Sequence, residues 1–107
     1  MPAIGRVFKQ ADGSYKGQLA TLSIRQNIQF VKNQKHAESQ PDFVIMAGND
    51  IEIGAAWIRT AITSGKDYVS VSLAAPEFGN RTLYANLGRA AGSKDENEFA
   101  LIWNPQD

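Results

Sequence analysis

Short runs rich in β-branched and aromatic residues alternate with turn signals along the chain, a pattern of antiparallel strands rather than of helices. Residues 3–10, AIGRVFKQ, run into ADGS, where Asp12-Gly13 predicts a tight hairpin with positive φ angles. The returning segment, YKGQLATLSI, moves its apolar phase from Leu19 to Leu22 and Ile24, so a bulge or bend is expected near Ala20 or Thr21. NIQFVK then puts Ile28 and Phe30 on one face. NQKHAESQP, ending at Pro41, reads as an exposed polar loop. DFVIMA is apolar on both faces, as a covered central strand would be.

The stretch IEIGAAWIRT, residues 51–60, admits two periods. As a helix, Asp50 would be the N-cap and Ile51, Ala55 and Ile58 would share a side. As a strand, Ile51, Ile53, Ala55 and Trp57 would alternate with Glu52 and Gly54. Gly54 weakens a helix, while two isoleucines and a tryptophan favour a strand, and the strand is the expectation. Its thin Gly54-Ala55-Ala56 strip would let an aromatic ring lie across the backbone or another chain come close; internal packing of Trp57 is preferred.

After the turn TSGKD, Val69, Val71 and Leu73 alternate with Tyr68, Ser70 and Ser72, and RTLYANL does the same with Leu83, Ala85 and Leu87. EFALIW closes the series with Phe99, Leu101 and Trp103 in phase. The expectation is a single all-β domain over residues 1–107: an antiparallel barrel or sandwich of seven to eight short strands with little or no helix.

Composition narrows the function classes. With no Cys there is no disulfide, thiolate nucleophile or Cys-ligated zinc. No apolar run reaches the roughly 20 residues of a membrane helix, and MPAIGRVFKQ does not read as a signal peptide, so a cytoplasmic setting is expected. Eleven basic residues balance eleven acidic ones. Their distribution is uneven: residues 1–36 hold Arg6, Lys9, Lys16, Arg25, Lys32 and Lys35 against Asp12 alone. In an antiparallel fold the two halves are expected to interleave and average this field away.

PDFVIMAG (41–48), EIGAAW (52–57), GKDYVSVSLAAPEF (65–78), LYANL (83–87) and ALIW (100–103) together resemble the family catalogued as domain of unknown function 736 (DUF736). The resemblance runs over nearly the whole chain. It implies a small bacterial cytoplasmic protein encoded on plasmids and integrated mobile elements, and it carries over no catalytic residue. Family members tend to have lysines directly after the tryptophan, whereas this chain has Ile58 and a single Arg59. Phosphate contacts by those lysines would be weaker here.

Candidate chemistry is sparse. His36 is the only histidine and lies in the polar loop. A hard-cation site of Asp50, Glu52 and Asp67 matches no known loop spacing, so no metal and no cofactor are expected. Ser64, Ser70 and Ser72 lack a neighbouring base, and GKD is too short for a phosphate-binding loop, so a hydrolase-like enzyme is disfavoured. Tyr68 and Tyr84, with Arg59, Lys66 and Arg81 nearby in sequence and Lys9, Lys16 and Arg25 in the basic third, form a candidate surface for single-stranded nucleic acid or another partner. The leading expectation is a non-catalytic protein of a mobile element acting through protein contacts or self-association, by an apolar patch or a sheet edge. Nucleic acid is the alternative.

Overall fold

The computed structural model describes residues 3–48, 50–90 and 92–104. Strands β1 (Ala3–Lys9), β2 (Tyr15–Ala20), β3 (Arg25–Lys32), β4 (Phe43–Ala47), β5 (Ile51–Thr60), β6 (Asp67–Leu73), β7 (Leu83–Arg89) and β8 (Glu98–Trp103) each pair antiparallel with the next in sequence. β8 then returns to β1, with Val7 opposite Phe99 and Arg6 opposite Ala100, and the sheet closes into a barrel. Between barrel and sandwich, the structure is a barrel. The one helical piece among the described residues is a 3-10 turn at Pro76–Phe78.

The first hairpin is a type I turn with a glycine bulge. The Gly13 N–H donates to Gln10 O, the Gln10 N–H donates to Ser14 O, and only Gly13 has positive φ, at 90°. Asp12 serves the turn through its side chain, accepting from both the amide and the hydroxyl of Ser14. The bulge or bend expected near Ala20 or Thr21 is a complete chain reversal. β2 ends at Ala20, opposite Arg25, and the Thr21 hydroxyl accepts the Ile24 N–H in a four-residue connection that leaves Leu22 fully exposed.

Alternation along each strand divides lumen from solvent. Val7, Leu19, Ile28, Phe30, Ile45, Val71, Leu73 and Leu101 are buried in the lumen. Tyr15 meets the rings of Phe30, Phe43 and Phe99 at centroid distances of 5.5, 5.6 and 5.7 Å, tilted or edge-on, as aromatic quadrupoles prefer. The bulk comes from β2–β4. Across the lumen β5 and β7 answer with Ala56 and Ala85.

Residues 51–60 do form a strand, but not with the expected faces. Ile45 pairs with Gly54 and Met46 with Glu52, so Ile53 is an extra residue on β5. The bulge flips the phase. Ile51 and Ile53 face the lumen before it; Gly54, Ala56 and Ile58 face it after, opposite Leu73, Val71 and Val69. Trp57 is therefore on the outer surface, opposite Ser70, and not in the core. The thin strip has a local cause: a Cβ at Gly54 would overlap the Ser72 carbonyl oxygen and press on Leu73. Gly54→Val should cost about 1–3 kcal/mol or more in urea unfolding. Gly88→Ala, whose Cβ would meet only Ile102 Cγ1 at 3.6 Å, should be neutral within about 0.5 kcal/mol.

Candidate functional site

Because the strands follow one another around the barrel, β1–β3 form one unbroken wall. This overturns the expected averaging of charge. Interleaving requires strands that cross between halves of the sequence, and none does here. No Asp or Glu stands on β1, β2 or β3. Outward-facing cross-strand neighbours place Phe8 opposite Lys16, Lys16 opposite Gln29, Arg6 opposite Gln18 and Ala20 opposite Arg25. Gln18 Nε2 donates to Asn27 Oδ1 at 3.4 Å, extending the polar row. Phe8 is 40% exposed amid these groups. The Arg6 guanidinium is shared with Glu98 on β8 at 3.0 Å; among the described residues Lys16 and Arg25 take part in no ion pair.

The face of β5–β7 is different. Outside, Ala55 pairs with Ser72 and Ser72 with Tyr84; Trp57 with Ser70 and Ser70 with Asn86; Arg59 with Tyr68. The Arg59 guanidinium carbon lies 5.6 Å from the Trp57 ring centre, a cation–π contact. Trp57 also has a structural task. Its indole Nε1–H donates to Ser39 O at 3.1 Å, fastening the 33–42 connection to the barrel. Asp42 completes the clasp: its Oδ2 accepts the Ile58 N–H at 2.8 Å, and its Oδ1 accepts from Lys35 Nζ at 3.1 Å. The loop is exposed, as expected, but held. β4 stops at Phe43, so the Asp42 carboxylate takes over the partner that a longer strand would have given Ile58.

The eight sequence-predicted residues do not converge. Lys16 and Arg25 belong to the β1–β3 wall. Arg59 and Tyr68 are paired on the β5–β6 face, with Lys66 in the turn between those strands. Tyr84 is outward and 40% exposed, four positions along the sheet from Tyr68, about 13 Å at the usual strand rise. Arg81 lies in the connection before β7 at the opposite rim from Lys66, and Lys9 turns toward the lumen opposite Tyr15. The carboxylates considered for a cation are split the same way: Asp50 and Glu52 flank the β4–β5 turn, while Asp67 starts β6 at the other rim. No three His, Cys, Asp or Glu side chains gather among the described residues. No described helix is long and apolar enough to cross a membrane.

Sequence reasoning missed Arg6, Phe8, Gln18, Asn27 and Gln29 as a surface. The signal was available: once Val7 faces in, Arg6 and Phe8 must face out.

The architecture defines a small closed up-and-down β-barrel. The chain belongs to the family described as Protein of unknown function (DUF736), which it matches over residues 3–106. No curated protein and no solved structure matches it.

Burial pushes the Asp42 carboxyl upward, but the Ile58 N–H and the Lys35 ammonium outweigh it and hold the group below its ordinary value. A carboxyl lowered in the folded state stabilises above its unfolded pKa of about 3.9, and that contribution fades as pH falls through the folded value. Asp42→Ala should therefore cost about 1 kcal/mol at neutral pH. Urea titrations should show its deficit shrinking below about pH 4, where the wild-type carboxyl protonates too.

Proposed function

We propose that the chain is a non-catalytic, cytoplasmic binding protein of a bacterial mobile element, and that its ligand is single-stranded nucleic acid held along the outer wall of β1–β3. One observation carries the reading: Lys16 and Arg25 stand without ion-pair partners among the described residues, on a wall with no acidic strand residue. Phe8 sits between Arg6 and Lys16 as a stacking ring, and Gln18, Asn27 and Gln29 supply amide donors and acceptors. A base has a π-face whatever its sequence, so one ring beside a row of cations favours backbone tracking over sequence readout. Arg25 to Val31 spans about 20 Å of strand, room for a few nucleotides.

Non-catalytic action is supported by where the candidate nucleophiles point. Ser70 and Ser72 face outward among Trp57, Asn86, Ala55 and Tyr84, while His36 lies in the clasped loop with its backbone N–H on Gln40 Oε1.

Protein contact or self-association is the second reading, and Leu22 and Ile51 favour it. They are 109% and 64% exposed; Leu22 lies in the β2–β3 turn and Ile51 opens β5 at the same rim. Its sheet-edge form is not available, since every strand has two partners. The surface patch remains.

Anisotropy of a labelled oligothymidylate should rise with protein at low salt, and affinity should fall as salt increases. Lys16→Glu with Arg25→Glu should weaken it by about tenfold or more. No binding at about 10 μM protein in low salt would exclude this ligand. Light scattering of wild type against Leu22→Ser with Ile51→Ser then tests the second reading, which needs an oligomer that the double variant dissolves.

A further inference from the structure

The upper rim of the barrel, where β1, β3, β5 and β7 end, is only half filled. Tyr15, Phe30 and Phe43 pack the side below β2–β4. On the other side lies an open cavity of about 440 Å³. Its apolar lining is Ile58, Val69, Leu87, Phe99 and the ring of Tyr15, and its margin carries Lys9, Arg89 and Asp67.

Folding alone does not account for this cup. Ile58 is in the lumen phase, opposite Val69, yet half its surface is exposed. The charges at the margin are unequal in their engagements. Asp67 accepts a hydrogen bond from the Thr60 hydroxyl at 2.7 Å, while Lys9 and Arg89 join no ion pair among the described residues. An apolar floor beneath two uncommitted cations matches a ligand with an apolar body and one anionic group. The volume suits a molecule of one or two rings or a short chain. Burial raises the Tyr15 phenol above its ordinary value.

We infer that this cup is a binding site for a small amphipathic monoanion, its hydrocarbon body on Ile58, Val69, Leu87 and Phe99 and its carboxylate or sulfonate between Lys9 and Arg89. The site opens on the lumen side of the rim, whereas the nucleic-acid surface is the outer face of β1–β3, so it does not depend on that reading.

The test uses 1-anilinonaphthalene-8-sulfonate as fluorescent probe and 2-naphthoate as competitor, with 2-naphthylmethanol as the uncharged control. The probe should bind the folded chain saturably, one per chain. Naphthoate should displace it about tenfold more effectively than the alcohol, because the alcohol gives up the charge-assisted contacts. Lys9→Gln with Arg89→Gln should remove that preference while leaving displacement by the alcohol intact. Ile58→Glu, at an already exposed position, should abolish probe binding and leave oligothymidylate binding unchanged. Near-UV circular dichroism of each variant identifies any that have lost the native packing, and Ile58→Gln then replaces Ile58→Glu. Absence of saturable binding, equal displacement by acid and alcohol, or binding unchanged in both variants would overturn the inference.

Discussion

The pairing of β8 with β1 is the constraint on which the molecule depends. A sheet of eight short strands left open would present two rows of unpaired amides and carbonyls and only one protected face. Closing it satisfies both rows and gives every inward side chain the same shared interior. A closed ring of this size leaves a lumen just wide enough for side chains. That space is divided unevenly: aromatic bulk from β2–β4 faces small residues from β5 and β7. The overlap a Cβ at Gly54 would create shows how little room the β5–β6 approach leaves.

The same connectivity sorts the surface. In a meander, neighbours in sequence are neighbours in space, so Arg6, Lys16 and Arg25 of the basic first third share one outer wall. A topology that sent strands across the sheet would have mixed acidic and basic segments and erased the bias. The neutral total is thus a poor guide to this molecule, since what a ligand meets is the local field of three strands.

Most strands were legible because alternation is a direct readout of a sheet with one buried face. Val69, Val71 and Leu73, or Leu83, Ala85 and Leu87, leave no doubt about which side is in. Legibility failed where side chains carry no such signal. Gly54, Ala55 and Ala56 fit either face, so the extra residue at Ile53 leaves no signal, and the phase of Ile51 and Ile53 carried onward points Trp57 inward. Only the partners on β4 and β6 decide it. At Thr21–Ile24 the case is opposite: the apolar phase does change, from Leu19 to Leu22 and Ile24, but a shift of phase alone does not distinguish a bulge or bend from a chain reversal. The basic residues are plain in the sequence, but the sharing of one outer wall by Arg6, Lys16 and Arg25 depends on topology, which alternation does not encode.

Ile58 belongs to two structures at once. Its side chain lines the cup at the upper rim, while its amide is gripped by Asp42, the last residue of the clasped 33–42 segment. The wall of the cup and the 33–42 loop therefore meet at one residue, and Asp42 carries the connection on to Lys35. The Asp42 N–H on Ala56 O and the Trp57 indole on Ser39 O tie the same loop to the same strand, so the inner cup and the outer clasp are built on one length of backbone.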